Sequence, residues 1–319
     1  MSGKRVLITG GRGYAGGRLT EALESVGYEV VLHTKGDGYT ADKEVITADV
    51  TDYAAVLHAF QAAAKRGQID AVIHLAAVNE IVCAKDPKLA FAVNCFGTQH
   101  VIDAAAAIGV RRFIYLSTFH VYGDVETATI TEETVPNPLH PYGITHLVAE
   151  LLCKATAKRT GMELAIIRLS NGVGAPTQAN IDRWTLIMLD LCRQAHERDS
   201  MTLHTSGYQL RDFVSLDDLG QAVGILLTVD AAKLKDPVFN VGAGESVTVR
   251  ELARIIQAEY EKLYHRVLPL NIADDGGKPG GRLEFKIDRM RALGYEPATD
   301  LAREARETLR FCERFKVRR

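Results

Sequence analysis

Long apolar stretches are absent from this 319-residue chain, and no run approaches the roughly 20 residues that a membrane-spanning helix requires. A large charge of one sign is also absent, because 38 Lys and Arg residues face 40 Asp and Glu residues and leave a net charge of −2. That balance argues against a basic surface for nucleic acid or anionic membranes. The opening residues, MSGKRVLITGG, lead directly into a strand pattern without the apolar segment of a signal peptide, so we expect a cytoplasmic location.

Cysteine is scarce, and its arrangement excludes two further classes of protein. The five cysteines are odd in number, widely spaced and without a Cys-x-x-Cys pair. This pattern favours reduced thiols over a disulfide framework, and it predicts no metal site. The cysteines are Cys83, Cys95, Cys153, Cys192 and Cys312.

The first 170 residues contain short apolar strand patterns that alternate with helical patterns. The predicted strands are 5–9, 29–33, 44–48, 70–75, 112–117 and 164–169, and the predicted helices are 18–26, 53–65, 87–108 and 142–160. Nearly continuous apolar strands separated by helices indicate a parallel sheet that is covered on both faces. The fold class is therefore α/β, with a doubly wound parallel sheet of the Rossmann type.

The strand–helix rhythm changes after residue 171. A loop rich in Gly, Pro, Thr and Asn precedes patterns for a helix at 184–196, strands at 201–204 and 239–241, a helix at 249–263 and a C-terminal helix. We expect residues 1–170 to form a dinucleotide-binding domain and residues 171–319 to form a smaller substrate-binding lid. Residues 207–229 are expected to return to the first domain.

A glycine-rich turn follows the first predicted strand. Gly10, Gly13 and Gly16 suit a tight turn, a close approach of the backbone to a pyrophosphate, and close packing of helix on strand. The free N–H groups at the start of the next helix would hold the phosphates. Together with Tyr14 and Ala15, these glycines are the predicted core of a dinucleotide site.

The end of the second predicted strand bears on the choice of cofactor. An NAD site is expected to carry an acid there for the ribose hydroxyls, but the sequence has Thr34 followed by Lys35. A hydroxyl and a cation suit a 2′-phosphate, which favours NADP(H) weakly over NAD(H). Asp49, after the third strand, could bind the adenine or could simply cap the next turn.

Several further segments complete a recognisable pattern. They are Asp49-Val50, HLAA at 74–77, Val93-Asn94, LSTFHVYG at 116–123, PYG at 141–143, RLSN at 168–171, RDFV at 211–214 and FNVGAGESVTVREL at 239–252, besides TGGRGYAG at 9–16. With them the chain resembles the extended short-chain dehydrogenase/reductases over nearly its whole length. The branch it resembles is that of the nucleotide-sugar epimerases and dehydratases, which includes UDP-galactose 4-epimerase.

The resemblance implies roles for particular residues. The further cofactor-binding residues are Val50, Leu75, Ala76, Ala77, Asn94, Tyr142 and His146. Thr118 would orient the substrate oxygen, and Tyr142 would act as the general acid and base, a step that a phenol can perform. The residues implied to bind the substrate are Thr118, Asn171, Arg211 and one of Lys278 and Arg282.

One position departs from the family pattern Tyr-x-x-x-Lys. Four residues after Tyr142, on the same helix face, the sequence has His146 in place of lysine. A lysine charge about 4 Å away would lower the tyrosine pKa by roughly three units at an effective dielectric of about 20. Three explanations stay open: His146 is protonated in the field of bound phosphates, the enzyme uses a neutral Tyr142 to reduce a keto-sugar, or the site is crippled.

The sequence therefore predicts an NAD(P)-dependent enzyme that exchanges hydride with a carbon of a nucleoside-diphosphate sugar, with C4 as the expected carbon. Dehydration is disfavoured, because Thr118-Phe119-His120 replaces the Thr-Asp-Glu that the resemblance would require. Epimerisation and net oxidoreduction both remain, and the alternative from another class is a non-catalytic NAD(P)-binding regulator or scaffold. The predicted helices at 87–108 and 142–160 resemble the pair that forms a homodimer interface in this family.

Overall fold

The computed structural model describes residues 4–36, 43–124, 129–278 and 280–317. Its strands are β1 (Arg5–Thr9), β2 (Glu29–Thr34), β3 (Glu44–Thr47), β4 (Ala71–His74), β5 (Arg112–Thr118), β6 (Thr129–Ile130), β7 (Glu163–Leu169), β8 (Asn171–Val173), β9 (Met201–Leu203), β10 (Leu210–Ser215), β11 (Val238–Val241), β12 (Ser246–Thr248), β13 (Leu270–Ile272) and β14 (Glu284–Phe285). Its α-helices are α1 (Tyr14–Ser25), α2 (Tyr53–Arg66), α3 (Glu80–Lys85), α4 (Pro87–Ala90), α5 (Thr98–Ala107), α6 (Pro141–Thr160), α7 (Ile187–Arg198), α8 (Leu216–Thr228), α9 (Val249–Tyr264), α10 (Asp288–Arg291) and α11 (Leu301–Phe315).

Seven strands form one parallel sheet in the order β11–β7–β5–β4–β1–β2–β3. The predicted doubly wound parallel sheet is confirmed. The strands are apolar because both faces are covered; Val6, Leu7 and Ile8 in β1, for example, are fully buried. The connection from β3 to β4 carries the chain to the other half of the sheet, so that β4 lies beside β1. A crevice opens at the carboxyl ends of these two neighbouring strands.

The C-terminal part of the chain contributes to two places. A separate apolar core, which includes Val173, Met188, Leu252 and Leu309, lies among α7, α9 and α11. In contrast, α8 packs on α1, and β11 pairs with β7 at the edge of the main sheet. We propose that α8, within the residues 207–229 that are expected to return, belongs to the first domain. We propose that the nucleotide-binding unit also includes 238–241, a strand that the sequence pattern placed in the lid.

The helical segment after β4 differs from the single helix predicted at 87–108. Asn79 caps α3 by accepting a bond from the Val82 N–H, and Asp86 and Pro87 start α4. A π-helical stretch, Phe91–Gly97, then joins α4 to α5. Such wide turns occur often at functional sites. Within the described residues, no helix combines the length and the apolar character that crossing a membrane requires.

A buried ion pair fixes α6 on the sheet. Arg168 of β7 donates to both carboxylate oxygens of Glu150, at 2.9 and 2.7 Å, and the Ser117 hydroxyl donates to the same carboxylate at 2.7 Å. The Arg168 guanidinium also lies 4.7 Å from the centre of the Tyr122 ring. Removing one partner from such a buried pair is costly, so this contact fixes where α6 runs across β5 and β7.

Three histidines are buried in or beside the sheet. Burial lowers the pKa of His33 to about 4 and the pKa values of His74 and His146 to about 3. His74 is held by hydrogen bonds, since the Thr9 hydroxyl donates to its Nδ1 at 2.6 Å and its Nε2 donates to Thr98 at 2.9 Å. All three rings are therefore neutral in the folded protein near pH 7.

We predict that the folded state loses stability as the pH falls below about 6.5. The unfolded chain binds protons at these histidines below that pH, whereas the folded chain resists them until about pH 3 to 4. Between pH 7 and 5 each buried ring lowers the free energy of unfolding by up to about 2 kcal/mol. Urea unfolding at both pH values measures the loss, and His33→Leu should reduce it. Exposed His58→Leu is the control, and an equal pH dependence in His33→Leu and the wild type would contradict the explanation.

Candidate active site

The turn between β1 and α1 brings the backbone to the crevice of the sheet. Gly10 has a positive φ of 66°, and a Cβ there would lie 2.9 Å from the backbone N of Ala76. A Cβ on Gly16 would lie 2.2 Å from the Gly10 carbonyl oxygen. Gly13 is the N-cap of α1, and no side chain of the described residues caps it. The first N–H groups of α1 thus point to the crevice, which suits a pyrophosphate.

A cavity of about 590 Å³ extends from this turn to the first turn of α6. It collects most of the residues that the sequence singled out. Those in its wall are Gly10, Gly13, Tyr14, Ala15, Gly16, Thr34, Lys35, Asp49, Val50, Leu75, Ala76, Ala77, Thr118, Tyr142, His146 and Asn171. These residues come from the carboxyl ends of six strands and from two helices, so the topology brings them together.

Four predicted residues lie outside this cavity wall. Asn94 lies behind it, where its side chain accepts from the Val78 N–H at 2.8 Å and donates to Thr145 at 3.1 Å. Arg211 lines a smaller neighbouring cavity that shares Asn171 with the main one. Lys278 lines a separate depression, and Arg282 is 84% exposed and paired with Glu284. The structure thus brings Arg211 near the cavity and leaves Lys278 and Arg282 apart from it.

The two residues predicted to contact the reacting sugar hydroxyl, Thr118 and Tyr142, lie on the inner wall of the cavity. Thr118 ends β5, and its hydroxyl accepts from the His120 N–H at 3.2 Å. Tyr142 lies in the first turn of α6, which Pro141 starts and His140 caps. The phenol is buried, and burial raises the pKa of Tyr142 to about 12. The ring of Tyr142 meets the His146 ring edge-on, with 4.4 Å between the ring centres.

His146 has one nitrogen engaged and one open. The Tyr115 hydroxyl lies 2.7 Å from its Nδ1, and that buried phenol has no other hydrogen-bond partner among the described residues. The arrangement that satisfies both groups has the phenol donating to Nδ1, which places the proton on Nε2. His146 Nε2 is buried without a partner in the described part of the chain. A ribose hydroxyl of a nicotinamide cofactor would satisfy it, so the residues present fit that group.

The opposite end of the cavity carries the residues expected near the adenosine. Lys35 pairs with Asp49 at 2.9 Å, and this bond, followed by the Thr51 N–H, lowers the pKa of Asp49 to about 2. The Thr34 hydroxyl donates to the Gly36 carbonyl at 2.8 Å. The cation that the sequence assigns to a 2′-phosphate is therefore within the cavity but already faces a carboxylate.

A segment that sequence reasoning missed forms the outer wall. Asn79 donates to the Asp182 carboxylate at 2.8 Å, and Arg183 donates to Glu80 at 2.8 Å. Arg183 also lines the same cavity as Tyr142, and its charge opposes the rise that burial causes in the pKa of that phenol. These pairs are 103 and 41 positions apart in the chain, so no local pattern could have revealed them.

The same segment also forms hydrogen bonds with the glycine turn and the start of α1. The Tyr14 hydroxyl donates to the Gly174 carbonyl at 2.9 Å, and Gln178 donates to the Arg12 carbonyl at 2.6 Å. A Cβ on Gly17 would lie 2.2 Å from the Thr177 hydroxyl oxygen. Residues 174–183 therefore contact the phosphate end of the cavity as well as the Tyr142 end.

The chain is similar to proteins of known sequence and structure. UDP-glucose 4-epimerase of Rhizobium meliloti is 26% identical over 318 residues, which cover 95% of each chain. "Uncharacterized protein y4nG" of Sinorhizobium fredii is 32% identical over 256 residues, which cover 79% of this chain and 60% of that protein. Thermus thermophilus UDP-glucose 4-epimerase, in a crystal structure with NAD, has the same fold, with a TM-score of 0.80 at 23% identity over 97% of this chain and 99% of that one.

The family assignment depends on a longer match. Residues 6–242 match the family described as the NAD dependent epimerase/dehydratase family. The match begins in β1 and ends just after β11, so it contains every strand of the main sheet and the whole of the 590 Å³ cavity wall. The resemblance drawn from the sequence is confirmed, as is the assignment as an enzyme of the nucleotide-sugar type. The chain belongs to the NAD dependent epimerase/dehydratase family.

Proposed function

We propose that the chain is a 4-epimerase of a uridine or deoxythymidine diphosphate sugar. The observation that carries this is that Tyr142 and Thr118 line the same cavity as the glycine turn. Relatives named UDP-glucose 4-epimerase and dTDP-L-rhamnose 4-epimerase, 26% and 28% identical, support the reaction and the substrate class.

The residues of the chain divide the work. When bound, a nicotinamide cofactor supplies a site that accepts a hydride from the sugar carbon and returns it. Tyr142, as phenolate, takes the proton of the sugar hydroxyl while the C–H bond breaks, and gives the proton back when the keto group is reduced. Thr118 orients the sugar oxygen, and His146 holds the cofactor ribose through its Nε2–H. Return of the hydride to the other face of the sugar ring inverts the carbon.

The diphosphate of the substrate is assigned to Asn171 and Arg211. Asn171 donates to the Asp212 carbonyl at 2.9 Å, which fixes its amide at the boundary of the two cavities. Arg211 lies on β10, the strand that pairs with the strand of Asn171, and it lines the smaller cavity. A guanidinium there can bind phosphate oxygens in a bidentate manner. Roles for Lys278 and Arg282 stay predictions.

The first prediction tests the reaction. We expect purified protein with NAD to interconvert one C4-epimeric pair from a panel of UDP- and dTDP-sugars, measured by separation of the two sugars. Tyr142→Phe should reduce turnover by about 10²- to 10⁴-fold, since it removes the general base. Exposed Tyr53→Phe is the control. A net change in 340 nm absorbance with stoichiometric product would indicate oxidoreduction instead, and cofactor binding without turnover of any sugar would indicate a regulator.

We also propose a preference for NADP(H) over NAD(H), which is supported by Thr34 and Lys35 in the cavity wall. The pairing of Lys35 with Asp49 weakens that support, as do the solved relatives described with NAD. In calorimetric titrations, Lys35→Ala should raise the NADP dissociation constant roughly three- to tenfold and leave the NAD constant unchanged, because only NADP carries the 2′-phosphate. Exposed Lys65→Ala is the control. Tighter binding of NAD by the wild type would overturn the preference.

A homodimer is proposed from the helices beside the site. Phe96 and Leu151 are 60% and 56% exposed, and they lie on neighbouring helical segments that Gln99 and Thr156 join by a bond of 3.0 Å. Large exposed apolar side chains in one area are typical of an interface.

The five cysteines are buried and unpaired, which supports the proposed cytoplasmic location.

Light scattering on the purified protein tests the dimer. We expect twice the chain mass for the wild type and a shift to the monomer for Phe96→Asp, because a charge buried in an apolar interface is costly. Val267→Asp, at a position that is 83% exposed and distant in sequence from these helices, should leave the mass unchanged. A monomeric wild type at micromolar concentration would refute the proposal.

A further inference from the structure

The proposed reaction needs a Tyr142 phenolate, and helix α6 supplies no charge to stabilise it. Burial raises the pKa of Tyr142 to about 12, a rise that the charge of Arg183 already limits. The side chain at the lysine position is His146, and burial, reinforced by the charge of Arg183, lowers its pKa to about 3. A neutral imidazole can hold the ribose but leaves the phenol uncharged.

A cation does reach the phenol, from the opposite wall. Arg183 lies in the segment before α7 and lines the same cavity as Tyr142. It donates to the Glu80 carboxylate at 2.8 Å, on α3, the helix whose Cys83 packs against Tyr142. From there its positive charge acts on the phenol and favours the ionised form. The bond of 2.8 Å between Asn79 and Asp182 holds this segment against the start of α3.

We propose that Arg183 is a catalytic residue that stabilises the Tyr142 phenolate. The two tasks of the usual lysine are then divided: His146 keeps the contact to the ribose, and Arg183 provides the positive charge. The inference rests on the proposed function, because only an enzyme that ionises this phenol needs the cation. It explains how the site tolerates histidine in the lysine position.

The other groups around the phenol do not take this role. Glu80 opposes ionisation of the phenol, but it is the ion-pair partner of Arg183 and holds the guanidinium in place. Burial raises the pKa of the Cys83 thiol and lowers the pKa of His120, so both side chains are neutral at pH 7. Tyr142 and Glu80, against the effect of burial, hold the pKa of Arg183 above its usual value. Arg183 is therefore charged throughout the working range.

The alternative is that Arg183 only ties Glu80 to the outer wall. The two roles predict different results when the charge is kept or removed. Arg183→Lys keeps a cation and loses much of the fork geometry, whereas Arg183→Gln keeps hydrogen-bonding capacity and loses the charge. Glu80→Gln removes the ion pair with Arg183 and leaves the guanidinium charge in place. Lys85→Gln, exposed on the same helix α3 as Glu80, is the matched control for loss of a cation nearby.

The test follows the phenol itself. The holoenzyme is labelled with [ζ-¹³C]tyrosine, the Tyr142 resonance is assigned with Tyr142→Phe, and its shift is recorded from pH 6 to 10.5. We expect the titration to begin within this range, because the positively charged nicotinamide of a bound oxidised cofactor would add to the charge of Arg183 and bring the pKa below the value of about 12 that the protein alone gives. In Arg183→Gln the titration should move up by about 1 to 3 pH units. Arg183→Lys and Lys85→Gln should titrate within about half a unit of the wild type. The rising limb of kcat/KM against pH should move by the same amounts.

Several outcomes would overturn the inference. One is a Tyr142 resonance that titrates identically in Arg183→Gln and the wild type, and another is a resonance that stays at the neutral position throughout in the wild type. A protein that turns over no sugar but shows the shift in Arg183→Gln would refute the proposed function and leave the electrostatic pairing intact. His146→Lys added to Arg183→Gln should restore the limb toward the wild-type pH, and a failure of this rescue with retained cofactor binding would count against a shared role.

Discussion

The arrangement of the site depends on one constraint, which is that an ionisable phenol is enclosed away from water. Burial of Tyr142 favours its neutral form, so ionisation requires both a fixed position and a nearby positive charge. The pair formed by Glu150 and Arg168 gives α6 its position on the sheet. The charge at the phenol comes from a different part of the chain, the segment that carries Arg183. Helix and segment thus line the same cavity.

The sheet could be predicted because its signals are local. A short apolar strand such as β1, with the glycine turn after it, can be recognised from about ten consecutive residues. The start of α1 was placed four residues late, since Gly16 and Gly17 weaken the helical pattern where close packing needs them. Strands β8 and β12 are only three residues long, and each pairs with β10 across distant parts of the chain, so their sequences carry little strand pattern.

Most of the site residues were implied by the family resemblance, and the topology explains why those that follow strands lie together. Thr118 and Ala76 follow strands of the parallel sheet, and the position of its crevice fixes their place. The substitution at position 146 is visible in the sequence, but the neutrality of its ring depends on burial and on Arg183. Arg183 itself stands in a loop of irregular sequence. Its partners are 41 and 103 residues away, and only the folded chain shows them.

Residues 174–183 connect the two ends of the cavity. Gly174 and Gln178 contact the glycine turn that would receive the phosphates, and Arg183 lines the end that holds Tyr142. The space for a dinucleotide and the charge beside the phenol therefore depend on the same short stretch of chain.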